Sequence, residues 1–179
     1  MKGVKNLRLF VVYGLLALIP MVVDCSGLTT TSLWGTASVR HSFASYDRVA
    51  IVWQRGQNQT LVNYFFNYWM EVFPGQIVVE RNDLRRVVRE QDLLPGRLDE
   101  KTRAKIRRIL GVEGLILVNY YEECRSGWIP KCVRNLSIKV IDTETGAISV
   151  VANAEGRDYT GKSVVLKAIQ AIKEKLQSV

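Results

Sequence analysis

The sequence predicts an α/β fold: a mixed sheet of about five strands with βαβ crossovers, a carboxyl-terminal β-hairpin and a closing helix. Two observations support this prediction. Up to residue 121, short apolar segments alternate with amphipathic segments of helical period, and after residue 133 two alternating segments flank a turn. Because strands joined through a helix pair in parallel, the first pattern predicts crossovers and the second predicts a hairpin.

The first predicted unit is a strand, a helix and a strand. Arg48–Trp53 is a short apolar strand, and Gln76–Glu80 is the next one. Between them, residues 58–73 place large apolar side chains on one broad helical face. Asn58 can cap the start of this helix, and Pro74–Gly75 end it.

Two further helices lead to the third strand. Asn82 can cap a helix that contains Leu84, and Asp99 can cap the next one. Gly111 suits the left-handed position that follows a helix. Gly114–Tyr121 is then the third strand.

The carboxyl-terminal part is predicted to be a hairpin followed by a helix. Residues 133–142 and 147–156 are its strands, and residues 143–146 form the turn. Residues 160–176 place apolar side chains on one stripe, which predicts the closing amphipathic helix.

The amino terminus has the pattern of an export signal. Three basic residues among the first eight precede the uncharged apolar stretch Leu9–Val23, which is shorter than the ~20 residues of a bilayer span. Cys25 follows and resembles the lipidation site of bacterial lipoproteins. We therefore predict a signal peptide at 1–24, a lipid-anchored flexible tether at 25–46 and a single folded domain at 47–179.

The neighbours of Cys25 bear on its modification. Asp24 stands where lipoproteins usually have a small residue. Ser26, rather than an aspartate, follows the cysteine, and in lipoproteins of enteric type this resemblance implies sorting to the outer membrane. We therefore expect a protein that an acyl chain anchors to the lipid at the periplasmic face of the outer membrane.

The two remaining cysteines, Cys124 and Cys132, form an even pair in an exported chain. This favours a disulfide, and two free thiols are the alternative. Trp128 lies between them, either as an exposed anchor for a protein partner or folded back onto its own sheet. Tyr120 and Tyr121 lead into this loop and extend the same candidate patch.

The chain is basic, with a formal net charge of +8. Arg85 and Arg89 are spaced to share one helix face and are candidates for an interface. Such a surface suits contact with a neighbouring subunit, an anionic headgroup or a glycan polymer, or it is simply solvated. Nucleic acid is not an expected partner of an exported protein.

The sequence offers no catalytic pattern. The single histidine, His41, lies in the predicted tether, and there is no glycine-rich phosphate loop or metal-spaced cluster. Glu80 and Arg81 at a strand end suit a local ion pair better than a catalytic pair, and Glu90 suits a helix surface or a hydrogen bond to a loop. We expect no enzymatic activity, cofactor, metal or small-molecule substrate.

Three segments carry a family resemblance. They are residues 78–91, with Glu80, Arg81, Leu84 and Glu90; residues 106–119, with Gly111; and residues 141–146, with Asp142 and Gly146. In this order they resemble the CsgG-like or LpoB-like superfamily of bacterial envelope lipoproteins, with curli-secretion, penicillin-binding-protein activator and FlgO-type relatives. The resemblance covers about residues 47–176, and Asn119 stands where the family usually has glycine.

The resemblance implies a non-enzymatic structural or assembly component of a secretion- or motility-type envelope complex. Such a protein acts through contacts with other envelope proteins and with copies of itself in a ring. No segments remain for the long membrane-spanning hairpins of the secretion channel. The alternative function is a lipoprotein regulator that activates a peptidoglycan synthase.

Overall fold

The structure is a computed structural model that describes residues 31–55, 58–79, 84, 99–126, 131–157 and 159–178. The strands are β1 (Ser32–Val39), β2 (Arg48–Arg55), β3 (Ile77–Val79), β4 (Gly114–Arg125), β5 (Lys131–Asp142) and β6 (Ile148–Arg157). The helices are α1 (Gln59–Val72), α2 (Glu100–Leu110) and α3 (Gly161–Gln177), and a short 3-10 helix spans His41–Ser45. None of the helices described is long and apolar enough to cross a membrane.

The strands form one sheet in the order β1-β6-β5-β4-β2-β3. β2 pairs in parallel with β3 and β4, whereas the β4–β5, β5–β6 and β1–β6 pairs are antiparallel. The predicted mixed sheet, with crossovers first and a hairpin later, is therefore confirmed. The sequence predicts that β4 ends at Tyr121, but β4 continues to Arg125 and forms a second hairpin with β5.

The predicted flexible tether at 25–46 is wrong for residues 32–45. Residues 32–39 form β1, which pairs with β6 from Ser32 opposite Arg157 to Val39 opposite Val150. Residues 41–45 form the 3-10 helix. The sheet therefore has one more strand than the sequence suggests, and the ordered domain begins before residue 47.

The alternation of β1 explains why it folds and why the sequence hides it. Leu33, Ala37 and Val39 pack against the core, whereas Trp34 and Thr36 on the other face are exposed. This is the period-two pattern of a half-buried strand. Half of its residues are Ser, Thr or Gly and none is charged, which is equally typical of a linker, so the composition alone favours a tether over a strand.

The predicted helix ends are confirmed in the described residues. The side chains of Asn58, Asp99 and Thr160 each accept hydrogen bonds from backbone N–H groups two or three residues further on. These bonds satisfy donors that the first turn of a helix leaves unpaired. Gly111 follows α2 in the left-handed conformation, with φ of +64°.

Two clusters of buried side chains fix the helices on opposite faces of the sheet. On one face, Phe65 and Trp69 of α1 are fully buried together with Ile169 of α3. On the other face, Ile106 of α2 packs with Leu115 of β4. Each such side chain stabilises the fold by roughly 1.5–3 kcal/mol relative to exposure. The domain is thus layered helix, sheet, helix.

Asp142 organises the end of the sheet at which β5 and β6 are joined, which we call the turn end. Its Oδ1 accepts hydrogen bonds from the backbone N–H groups of Glu144 (2.9 Å) and Thr145 (2.7 Å). Its Oδ2 accepts one from the Tyr46 hydroxyl (2.7 Å). Gly146 completes the turn with φ of +74°. Asp142 therefore ties the hairpin turn to the segment that precedes β2.

Three further contacts stabilise the turn end, from residues beside β4, beside β5 and on α2. The carboxylate of Glu113 accepts a hydrogen bond of 2.6 Å from the backbone N–H of Asp47, just before β2. The hydroxyl of Thr143 donates to the backbone carbonyl of Val112 at 2.6 Å. Arg107 of α2 forms an ion pair of 2.6 Å with Glu144, beside the turn. Part of the positive charge around α2 is therefore paired with a carboxylate of the same domain.

The pKa of Asp142 links this turn to acid stability. Partial burial alone would raise the pKa, but the hydrogen bonds from Thr145, Tyr46 and Glu144 favour the carboxylate and hold its pKa below its usual value. The unfolded chain therefore binds this proton more readily than the folded one. The contribution of Asp142 to stability is present above the unfolded pKa of about 3.9. It is lost as the pH falls through the lower folded pKa.

We predict that Asp142→Asn lowers the free energy of unfolding at pH 7 by about 1–3 kcal/mol. The reason is that four donors lose a charged acceptor: the Tyr46 hydroxyl, the Glu144 backbone N–H, and the backbone N–H and hydroxyl of Thr145. The variant should also lose part of the decline in stability between pH 5 and pH 3. Urea unfolding followed by tryptophan fluorescence measures both effects, with Glu144→Gln as a neighbouring carboxylate control. A decline on acidification as steep as that of the unmodified protein would contradict this role.

Candidate functional site

The opposite end of the sheet, which we call the hairpin end, contains Tyr120 and Tyr121, the two described residues that the sequence selects as interface candidates. β4 and β5 are joined there. The strand register places Ser32 of β1, Arg157 of β6 and Val133 of β5 side by side at this end. The first residues of α1 and α3 lie over it. The hairpin end therefore combines the start of β1 with the β4–β5 hairpin.

Cys124 and Cys132 are joined by a disulfide at this end. They are direct partners in the β4–β5 ladder, and their Cα atoms are 4.1 Å apart. Antiparallel partners that face each other bring their Cβ atoms close enough for such a bond. The predicted pairing is therefore present in the structure, and the alternative of two free thiols is not.

Glu122 lies beside the disulfide, with Oε1 3.5 Å from the sulfur of Cys124. A disulfide sulfur carries no proton, so this is a contact and not a hydrogen bond. In the described part of the chain, Glu122 and the two cysteines are a group close enough to surround a metal ion. Both sulfurs are used by the disulfide, so the oxidised group offers one carboxylate and is a poor metal site.

A network of polar side chains lies behind the disulfide. Arg134 forms an ion pair with Glu122 at 2.6 Å and donates to the backbone carbonyl of Tyr159 at 2.5 Å. The hydroxyl of Tyr120 donates to the other carboxylate oxygen of Glu122 at 3.1 Å. Burial, followed by the negative charge and hydrogen bonding of Glu122, raises the pKa of Tyr120 to about 12. Tyr120 is therefore neutral at physiological pH and acts as a donor.

This network lines a cleft of about 600 Å³ between the starts of α1 and α3. Gly161 allows α3 to approach closely, because a Cβ at this position would lie 2.9 Å from the hydroxyl oxygen of Tyr120. The ammonium group of Lys162 lies over the ring of Tyr64, 5.4 Å from its centre. The charged groups of the cleft thus have partners within the domain, which is typical of a structural network.

Tyr120 and Tyr121 point to opposite faces of β4. Tyr120 is only 7% exposed and faces α1 and α3, so it does not extend a surface patch. Tyr121 is 58% exposed on the other face. Through Asn135 and Glu155, the register aligns Tyr121 with Trp34 of β1, which is 45% exposed. A row that crosses four strands therefore has an exposed aromatic ring at each end and half-buried polar residues between them.

Several predicted site residues lie outside the described part of the chain, and their roles stay predictions. They are Cys25, Glu80, Arg81, Arg85, Arg89, Glu90 and Trp128. Of the family-motif residues that are described, Leu84 is buried, Gly111 ends α2, and Asp142 and Gly146 form the turn.

Sequence reasoning missed the ion pair of Glu122 with Arg134. A signal was present, because pairing Cys124 with Cys132 in an antiparallel hairpin also places residue 122 opposite residue 134. Opposite charges at facing positions then predict a cross-strand pair. Trp34 was missed for a different reason, since it lies in the segment that composition assigns to a tether.

We predict that the double variant Cys124→Ser, Cys132→Ser remains folded but loses about 2 kcal/mol of stability, because the cross-link restricts a short loop of the unfolded chain. Urea unfolding measures this loss, and the unmodified protein with and without reductant is the control. Non-reducing peptide mapping should show Cys124 joined to Cys132. Two thiols open to alkylation in protein isolated from the envelope would contradict the disulfide.

Comparisons with known proteins agree with the resemblance noted in the sequence. A family model described as "Curli production assembly/transport component CsgG" matches residues 75–126. A search of curated proteins finds no match. The chain is similar in structure to the PelC dodecamer from Paraburkholderia phytofirmans, with a TM-score of 0.51 and 12% identity, covering 81% of this chain and 96% of that one.

Two other solved structures have lower scores. Lipoprotein GNA1162 from Neisseria meningitidis has a TM-score of 0.45 and 9% identity, covering 74% of this chain and 99% of that one. The LpoB C-terminal domain from Salmonella enterica has a TM-score of 0.40 and 12% identity, covering 80% and 94%. The family match confirms the CsgG-like resemblance over residues 75–126, and the PelC structure shares the fold of the domain.

Proposed function

We propose that this chain is a non-enzymatic lipoprotein, anchored through Cys25 at the periplasmic face of the outer membrane. It acts through protein contacts as a structural or assembly component of a secretion- or motility-type envelope complex, in which it also contacts copies of itself. The observation that carries this proposal is the position of β1, which begins at Ser32, close to the predicted lipid anchor.

The short link between Cys25 and Ser32 supports action close to the membrane. Only residues 26–31 separate the two positions, and a fully extended chain of this length reaches at most about 25 Å. Ser32 lies at the hairpin end of the sheet, so an acyl anchor on Cys25 would hold that end near the lipid. Contacts made by this domain are then with components at or beside the same membrane.

The chemistry of the cleft supports a role without catalysis. Glu122 is paired with Arg134, and Tyr120 has a raised pKa that keeps it protonated. A general base or nucleophile needs a free, suitably poised group, whereas these groups satisfy one another. The network is therefore better suited to fixing α3 and the hairpin than to transforming a substrate.

The relatives support assembly as the mode of action. The family model is described as a curli production assembly/transport component, and the structurally similar PelC is a dodecamer. An exposed aromatic residue such as Tyr121 suits a protein interface. The predicted anchor Trp128 remains a candidate for the same purpose, as do Arg85 and Arg89.

We predict that Cys25→Ser moves the protein from the membrane fraction to the periplasmic fraction, because it removes the acceptor of the acyl group. Fractionation followed by immunoblotting measures this, together with labelling by a palmitate analogue. The Cys124→Ser, Cys132→Ser double variant is the matched control and should stay with the membrane. Equally firm membrane attachment of Cys25→Ser would contradict lipid anchoring at this residue.

The assembly role is tested by native mass measurement of the full protein extracted in mild detergent. We expect a complex larger than one chain, which contains further copies, other envelope proteins or both. A lone monomer without any partner would contradict the proposal. Enrichment of a peptidoglycan synthase alone would instead favour the regulator that the sequence leaves as the alternative.

A further inference from the structure

β1 is an edge strand whose outward backbone groups can be identified. It stands first in the strand order and pairs with β6 on one side. The backbone N–H of Arg40 donates to the carbonyl of Ser149 at 2.8 Å, and these two residues continue the β1–β6 register. Because hydrogen bonding alternates along an antiparallel strand, the even-numbered residues of β1 bond to β6. The backbone groups of the odd-numbered residues point away from the sheet.

The outward backbone groups belong to Leu33, Gly35, Ala37 and Val39. In the described part of the chain, no strand pairs with them. Natural edge strands are usually protected by charged side chains, proline, bulges or shortness. β1 is eight residues long, contains no charge and no proline, and pairs with β6 without a register shift. Its edge is therefore well formed for the addition of another strand.

The opposite edge of the sheet differs. β3 has three residues, and Ile77 already donates to the carbonyl of Asp47 beside β2 at 2.7 Å. In a parallel pair, alternate residues bond to the neighbouring strand, so of these three residues only Val78 directs its backbone groups outward. Of the two edges that the structure describes, β1 is thus the one that can support an extended ladder.

We propose that the edge of β1 pairs antiparallel with β1 of a second copy of this chain, around a two-fold axis at Thr36. Leu33 then faces the second copy's Val39, and Gly35 faces its Ala37. In this register all four outward residues of each strand meet outward residues, which gives about eight backbone hydrogen bonds. The inference deepens the proposed function, on which it rests, by naming a surface and a partner for assembly.

The side chains of β1 favour its own copy as the partner. On the exposed face, Thr36 lies beside the second copy's Thr36, and Trp34 lies beside its Ser38. An antiparallel strand that meets its own copy places any charge near the axis opposite a like charge, which destabilises pairing. β1 carries no charge, so this penalty is absent. Trp34, at 45% exposure, gains apolar contact on pairing.

The helical face is also compatible with this pairing. α3 passes close over Gly35, where a Cβ would lie 3.0 Å from the Cγ atom of Lys167. Small residues at 35 and 37 therefore leave room for the two α3 helices above the line along which the two β1 strands pair, which we call the seam. Lys167 is a charged side chain next to the paired strands, and its long stem can turn the ammonium group towards solvent. Since the pairing rests on backbone and uncharged groups, raised salt should not weaken it.

The first test places charges on the axis in the full, detergent-extracted protein. Thr36→Lys alone and Thr36→Glu alone should each weaken self-association at least about tenfold, because like charges then face each other. Mixing the two variants should restore association, since Lys and Glu attract across the same axis. Thr36→Ser is the matched control and should behave like the unmodified protein. Sedimentation velocity over a concentration series measures all four samples.

Restoration in the mixture excludes a folding defect, which charge mixing could not repair. Single variants that associate as strongly as the unmodified protein, or a mixture that does not recover, would overturn the two-fold pairing. A large complex that persists unchanged in both single variants refutes the β1 seam but leaves the proposed assembly role standing. A lone monomer of the unmodified protein, without further copies and without any other envelope protein, refutes both.

A second test uses cross-linking in envelopes. Thr36→Cys should form a disulfide-linked dimer on non-reducing gels, because the two Thr36 positions are adjacent across the axis. Asn153→Cys is the matched control, since Asn153 is exposed and is the partner of Thr36 on β6, one strand in from the edge. Only a monomer band for Thr36→Cys, or its capture of a different protein, would contradict pairing between copies.

Discussion

The pairing of β1 with β6 is the constraint that decides where the described domain begins and where its sheet ends. It makes an eight-residue strand of a stretch in which Ser, Thr and Gly supply half the residues, and it extends the sheet beyond the β5–β6 hairpin. The domain therefore begins at Ser32 and not near residue 47. This one ladder also determines which described strand forms the long edge of the sheet.

The two ends of the sheet are stabilised by different kinds of contact. At the turn end, Asp142, Tyr46 and Glu113 join the starts of β2 and β4 to the β5–β6 turn through short hydrogen bonds. At the hairpin end, a disulfide and the Glu122–Arg134 pair hold the β4–β5 hairpin rigid beside the start of β1. These cross-links join the two ends of the sheet to different parts of the chain, the turn end to the segment before β2 and the hairpin end to the start of α3.

The parts of the fold that follow from local signals were predictable. Asn58, Asp99 and Gly111 mark helix ends through contacts within a few residues. The alternating apolar and polar residues of β5 and β6, on either side of a turn, predict their hairpin. Contacts between distant segments were not. The Tyr46–Asp142 hydrogen bond joins residues 96 positions apart, so it exists only once the sheet order is known.

The prediction missed β1 for another reason. Its uncharged sequence is compatible with both an edge strand and a linker, and only pairing with β6 distinguishes the two. The candidate site likewise has features that could be predicted from the sequence and features that could not. Cys124 and Cys132 could be paired from their number and spacing, and the exposure of Tyr121 follows from its place on β4. The burial of Tyr120 does not follow, since the sequence does not say that α1 and α3 cover that face of β4.

Residue-resolved amide hydrogen exchange of the full protein tests the central claim, that β1 belongs to the sheet, most directly. We predict slow exchange for the backbone amides of Trp34, Thr36 and Ser38, whose donors face β6. The amides of Leu33, Gly35 and Ala37 should become slow only under conditions in which two copies pair. Fast exchange at all six positions, as a flexible tether would give, would contradict the position of β1 and the assembly surface derived from it.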